Sequence, residues 1–185
     1  MDFERTAIPE VIRIQPRVHR DARGFFLESY HAERFAQAGI HAVFVQDNHS
    51  FSARGTLRGL HTQREFAQGK LMRCTAGEIF DVAVDARRGS KTFGHWVGET
   101  LSSENFRQLW VPAGFLHGFC VLSETAQVEY KCTELYHPED ELGVIWNDPD
   151  IGIAWPVGAK VLSAKDAALP RLREVESLLP AGAAS

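Results

Sequence analysis

The sequence has no apolar run near the roughly 18 residues that suggest a membrane span. Its start, Met1-Asp2-Phe3-Glu4-Arg5, lacks the basic-then-apolar order of a secretory leader. Cysteine is scarce: Cys74, Cys120 and Cys132 are odd in number and form no C-x-x-C pair, so buried reduced thiols are expected. There is no basic excess, since 20 Lys and Arg face 24 Asp and Glu for a net charge of −4. That argues against a nucleic-acid footprint while leaving room for a local cationic pocket. The expectation is a cytoplasmic protein with neither membrane nor nucleic acid among its partners.

Catalytic signatures are also missing. The eight histidines never form H-x-H or H-x-x-x-H. His61 and His117 could be two metal ligands, but spacing points to no third, so no metal is expected. No G-x-S-x-G and no glycine-rich phosphate loop occurs. Cys120 follows His117 by three residues, yet its apolar neighbours Phe119, Val121 and Leu122 offer nothing to hold a thiolate.

What is present is period-two alternation. Phe80, Val82 and Val84 alternate with Ile79, Asp81, Ala83 and Asp85, and Val128 and Tyr130 alternate with Gln127, Glu129 and Lys131. Further strand-like runs cover 11–14, 25–30, 43–47, 57–62, 71–74, 95–101, 107–111, 118–122 and 143–146. Turn signals such as Arg23-Gly24, Arg54-Gly55, Ala76-Gly77 and Pro112-Ala113-Gly114 separate them. Many short strands at this spacing predict an all-β sandwich or barrel. Helices are expected at 31–38, ending at Gly39 with Phe35 inward, and in the tail from Ala164, broken by Pro170 and resumed over 171–179. The last residues, 181–185, are expected to fray. With 185 residues, 44% hydrophobic, and no repeat or linker, one domain over 1–185 is expected.

The densest polar stretch is Gln46-Asp47-Asn48-His49-Ser50, followed by Arg58-Gly59-Leu60-His61-Thr62-Gln63 and Gln68-Gly69-Lys70. Such residues either face water or line a polar pocket. His117 lies inside an apolar run and reads either as a satisfied core histidine or as a functional one.

These segments, with Phe80-Asp81-Val82-Ala83-Val84-Asp85, the run from Val111-Pro112-Ala113-Gly114 to His117-Gly118-Phe119, Tyr130-Lys131, Trp146-Asn147-Asp148-Pro149 and Leu162-Ser163-Ala164-Lys165-Asp166, make the chain resemble the dTDP-4-dehydrorhamnose 3,5-epimerase family. The resemblance extends over about 8–170. It implies a cupin-like jelly roll (a double-stranded β-helix), a homodimer, and an activity that needs no metal or cofactor. The implied substrate is a dTDP-linked 4-keto-6-deoxy sugar of L-rhamnose synthesis, inverted at C3 and C5 by proton removal beside the C4 ketone and return on the other face. By the same resemblance His61 is the base, Asp166 its carboxylate partner, Tyr130 the opposing acid and Lys70 the residue beside the developing oxyanion. Asp166 also fits a helix-capping pattern after Ser163. Arg23, Arg58, His117 and Lys165 match positions around the substrate. Glu28, Gln46, Asn48 and Glu141 match polar lining positions, and Tyr136 matches a ring that stacks on thymine. The segment carrying Arg23 and Glu28 is expected to reach the other subunit. The chain departs from the family where Thr62 follows His61 and where Arg64-Glu65-Phe66 replaces a stretch that commonly contains Pro. Relatives that epimerise C3 alone, or isomerise other keto sugars, share nearly all these residues, so that outcome stays open.

Overall fold

The computed structural model describes residues 1–156, 158 and 161–180; the fraying expected at 181–185 lies outside the described residues. Strands are numbered in chain order. One sheet runs β1 (Asp2–Arg5), β2 (Ile12–Gln15), β10 (Gln108–Val111), β7 (Lys70–Ala76), β12 (Thr125–Cys132) and β5 (Gln46–Ala53). The other runs β13 (Glu141–Gly143), β6 (Leu57–Gln63), β11 (Phe115–Val121), β8 (Glu78–Asp85) and β9 (Trp96–Ser102). A hairpin, β3 (Val18–Asp21) and β4 (Gly24–Leu27), pairs with neither. Strand neighbours are antiparallel but rarely consecutive in sequence, and the fold is the expected cupin-like jelly roll.

Alternation decides what each face buries. On β8, Ile79 and Ala83 point between the sheets, where they meet Met72 and Cys74 of β7, Val128 of β12 and Phe119 of β11. The intervening Val82 and Val84 point outward and pack under Leu172, Val175 and Leu179 of the tail. The tail is two short helices, α2 (Ala164–Ala167) and α3 (Leu172–Val175), the second continued by a 3-10 turn over Glu176–Leu178. The outer face of the larger sheet is covered by α1 (Ala32–Gln37). There Phe35 is buried against Ile12, Ile14 and Leu71, a burial that contributes about 2–3 kcal/mol.

Several expected strands need correction. The run at 43–47 is strand only from Gln46, which opens an eight-residue strand through the polar segment. Strand structure near 143–146 is instead Glu141–Gly143, and the strand expected at 25–30 stops at Leu27. Neither β1 nor β3 was expected, since their sequences are largely charged and they lie exposed. All three cysteines are buried free thiols.

Asp85 ends β8 with a fully buried carboxylate. It accepts from Arg87 Nε and Nη2 at 2.9 and 2.8 Å, from the Arg87 amide at 3.0 Å, and from the Ser90 and Thr92 hydroxyls at 2.5 and 2.6 Å. Burial pushes its pKa up, but these donors outweigh burial and bring it down to about 2. A carboxyl with a folded pKa below its unfolded value of about 3.9 stabilises the fold above that value and loses the contribution as pH falls through the folded pKa. Asp85 should therefore contribute about 2.5 kcal/mol that disappears between roughly pH 4 and pH 2. In urea unfolding across that range, Asp85→Asn should lower stability by about 3 kcal/mol at neutral pH and flatten the acid limb. An unchanged acid limb in the variant would refute this account.

Candidate active site

The site begins with a register break. On β11, His117 pairs with His61 of β6, and Phe119 pairs with Arg58, so β6 carries one extra residue between the two pairs. Arg58 and His61, three apart, therefore share the face between the sheets, which strict alternation would forbid. Glycine makes this possible. Gly59 sits at φ +123°, and a Cβ there would lie 2.6 Å from Gly118 Cα and 2.7 Å from the His117 carbonyl. A Cβ on Gly118 would lie 2.7 Å from the Arg58 carbonyl.

His61 Nε2 meets Asp166 Oδ1 at 2.7 Å, joining β6 to α2 across 105 residues. The capping role falls to Ser163, whose Oγ accepts the Asp166 amide at 3.0 Å, while the Asp166 carboxylate turns to the imidazole. Asp166 is thus not itself the cap: Ser163 caps the turn through the Asp166 amide, and the Asp166 side chain pairs with His61. Burial pushes the Asp166 carboxyl up, but His61, the Gly59 amide and Ser163 hold it below its ordinary value. Glu141, on β13 opposite Gln63, places Oε1 3.7 Å from His61 Nε2. Its Oε2 accepts from the Tyr136 hydroxyl at 2.5 Å and from Lys165 Nζ at 2.7 Å. Against the upward pressure of burial, Lys165, Tyr136 and His61 keep this carboxyl below its usual range.

The larger sheet supplies the opposite wall. Lys70 and Tyr130 lie on the inner faces of β7 and β12, in the same rows as the core residues Met72 and Val128. Burial lowers the Lys70 pKa, against the pull of Cys132, Glu141 and Asp81. Burial raises the Tyr130 phenol, with nearby acids adding and Arg58 opposing. Lys131 faces away and pairs with Asp47 at 3.0 Å on the outer surface. On β5, residues 46, 48, 50 and 52 turn inward and the alternate ones face water, so the polar segment does both things its composition allowed. Gln46 accepts the Tyr136 amide at 3.0 Å and donates to Asn48 Oδ1 at 3.0 Å.

Between these walls lies a cleft of about 710 Å³. His61, Asp166, Lys70, Tyr130, Arg58 and His117 all line it, as do Tyr136, Glu141 and Lys165. Gln46 and Asn48 stand at its edge through the contacts just given. Arg23 and Glu28 do not join it: Arg23, in the β3–β4 turn, is 90% exposed and pairs with Asp21, and Glu28 pairs with Arg34. Sequence reasoning missed Asp81, which is fully buried and bonds His117 Nε2 at 2.8 Å through Oδ1. Its Oδ2 has no partner among the described residues. The available signal was an acid at an inward position of an otherwise apolar row, Ile79 to Ala83. Among the described residues no cluster of three or more His, Cys, Asp or Glu is arranged to hold a metal ion. Among them, too, no helix is long and apolar enough to cross a membrane.

A histidine on one sheet paired with a carboxylate of the tail helix, a protonated phenol and a buried lysine on the other sheet, and cations along the cleft define a jelly-roll enzyme of the acid–base type. The model of the dTDP-4-dehydrorhamnose 3,5-epimerase family matches residues 5–174, and the chain belongs to that family. The Pseudomonas aeruginosa dTDP-4-dehydrorhamnose 3,5-epimerase is 61% identical over 168 residues, 90% of this chain and 93% of the relative. A Legionella pneumophila dTDP-6-deoxy-D-glucose-3,5-epimerase crystallised with dTDP-4-keto-L-rhamnose superposes with a TM-score of 0.96 at 52% identity, covering 99% of each chain. A 4-keto-6-deoxy sugar epimerase from the novobiocin gene cluster of Streptomyces spheroides gives 0.95 at 38% identity, over 99% of this chain and 94% of that one.

The cap and the carboxylate separate by substitution. Ser163→Ala should cost about 1 kcal/mol of stability in thermal melts with turnover retained. Asp166→Asn should instead depress turnover by roughly 10²- to 10⁴-fold, the scale of a misdirected histidine partner. Full activity in Asp166→Asn would reduce Asp166 to a helix residue.

Proposed function

We propose that this chain converts dTDP-4-dehydro-6-deoxy-D-glucose to dTDP-4-dehydro-L-rhamnose by inverting C3 and C5. The observation that carries the reading is the placement of His61, paired with Asp166 of α2, on one sheet and of Lys70 and Tyr130 on the other, lining one cleft. His61 removes the proton beside the C4 ketone, and Asp166, held ionised, orients the ring and stabilises the imidazolium. A phenol whose pKa burial raises stays protonated at neutral pH, so Tyr130 is ready to deliver a proton from the far side. Lys70, taken out of water, gains more from an enolate oxygen than from a neutral ketone, and that difference is what accelerates the step. Arg58 donates Nε to Ser52 Oγ at 3.1 Å, and its terminal nitrogens make no hydrogen bond among the described residues, which suits them to a diphosphate oxygen. Tyr136 offers the ring for thymine. No cofactor or metal enters this scheme, and EDTA should leave turnover unchanged.

The working unit is a homodimer in which the β3–β4 hairpin of each copy completes the other's cleft. In support, Phe25 and Phe26 are 57% and 73% exposed beside Arg23, an apolar patch that water does not favour. Arg23 and Glu28 line no part of the cleft of their own chain. Mixing Arg23→Ala with His61→Asn protein should then restore turnover, because a mixed dimer holds one site with both residues intact. Two inactive variants that stay inactive after mixing would refute a shared site.

The catalytic roles are tested in heavy water by NMR. His61→Asn should stop deuterium entering at C3 and C5. Tyr130→Phe should retain exchange at one or both carbons while net inversion fails, because the base and Lys70 remain. Exchange kept in His61→Asn and lost in a substrate-binding Tyr130→Phe would reverse the two assignments.

A further inference from the structure

Tyr136 reaches the cleft from the loop after β12, which packs against the loop after β6. Neither loop has regular structure over most of its length, yet both are tied together by two side chains that almost no water reaches. Gln63, the last residue of β6, is 3% exposed. Its Nε2 donates to the carbonyls of Phe66 at 2.6 Å and Leu135 at 3.1 Å, and its Oε1 accepts the His137 amide at 2.8 Å. Asp140, 4% exposed, accepts the amides of Glu65 at 3.0 Å and Phe66 at 2.9 Å and lies 3.5 Å from Arg64 Nε. The Arg64 amide in turn reaches the Asp140 carbonyl at 3.2 Å, and the Phe66 and His137 rings stack at 4.1 Å, 18° from parallel.

Gln63 bonds the residues on either side of Tyr136. It also lies two residues beyond His61 on the same face of the same strand, so β6 carries both the base and the anchor of the aromatic ring. We infer that Gln63, seconded by Asp140, is a positioning residue for nucleotide recognition: it holds the Tyr136 ring at a fixed distance from His61 and so sets the reach between the nucleobase and the reacting sugar. The inference rests on Tyr136 stacking on the base, as proposed above. The amide is the right group for this task. It supplies two donors and one acceptor at once, to two carbonyls and one amide, a combination that Glu or Met cannot reproduce. The ring is half exposed; its hydroxyl is tied to Glu141 and its amide to Gln46, and the backbone on either side of it is pinned by Gln63.

The test compares Gln63→Met, close in volume but without these bonds, with wild type, using dTDP and inorganic pyrophosphate as competitive inhibitors. KM for the sugar nucleotide and Ki for dTDP should each rise about tenfold, with kcat within twofold. Pyrophosphate, which has no base, should bind as before. Amide hydrogen exchange should accelerate over 64–66 and 135–140. Asp140→Asn should give the same split at smaller size, and it decides the matter if Gln63→Met does not fold. Tyr136→Ala separates this inference from the one beneath it. If dTDP affinity falls in Tyr136→Ala but not in the Gln63 or Asp140 variants, the positioning role is overturned. If it falls in none of them, the stacking reading fails and takes the positioning role with it. Equal weakening of dTDP and pyrophosphate would mean a general collapse of the cleft and would also overturn it.

Discussion

Two glycines in contact across β6 and β11 set the geometry on which the site depends. Only Gly59 and Gly118 let these backbones approach closely enough for β6 to hold one residue more than its partner. That residue turns Arg58 and His61 to the same side. With regular pairing one of them would point outward, toward the apolar surface that Leu60, Val82 and Leu116 make under the tail helices. A buried arginine or histidine there would have no partner, and the cleft would lose one of the two side chains.

The space between the sheets is divided along its length, dry at one end and polar at the other. The boundary is crossed in two-residue steps. Met72 leads to Lys70 and Val128 to Tyr130, each pair on one strand face, while on the smaller sheet His117 sits between Phe115 and Phe119 and Asp81 between Ile79 and Ala83. Each polar group is therefore rooted in a close-packed residue next to it. Strands fixed in this way hold side chains to tighter tolerances than loops do. The same neighbourhood explains the electrostatics. Burial acts on Lys70, Tyr130, Glu141 and Asp166 alike, and what distinguishes them is their partners. The carboxyls have donors that overcome burial, whereas burial still dominates the amine and the phenol.

The fold class was legible because alternation survives where one face is dry and the other wet, as in β12; in β8 both faces are covered, and the buried Asp81 and Asp85 break the apolar run. Alternation failed where the inner face is itself polar. In β5, Gln46, Asn48, Ser50 and Ser52 turn inward while the outward residues are Asp47, His49, Phe51 and Ala53, so the usual contrast of apolar inside and polar outside is absent. It failed again for β1 and β3, short and largely exposed strands with one apolar residue each, Phe3 and Val18. The site was legible in residue types and order, through a family resemblance. Two features were beyond sequence reach. The pairing of residues 61 and 166 depends on the tail folding back over the smaller sheet, and the Asp81–His117 bond depends on the β8–β11 register. The placement of Arg23 and Glu28 away from their own cleft is expected only through the family resemblance, because no local pattern in the residues points to it.

The distance along the chain between His61 and Asp166 has a consequence in time. The carboxylate follows the imidazole by 105 residues, and ribosomes add roughly 5–20 residues per second. For on the order of 5–20 s, then, a growing chain carries its histidine without the acid that orients it. The strand with Tyr130 arrives well before that, so a nascent chain can close most of its sandwich while remaining chemically inert. With the roles proposed for His61 and Asp166, turnover reports that translation has run past α2 and that the tail has docked, which a spectroscopic signal from the β-sheets alone would not.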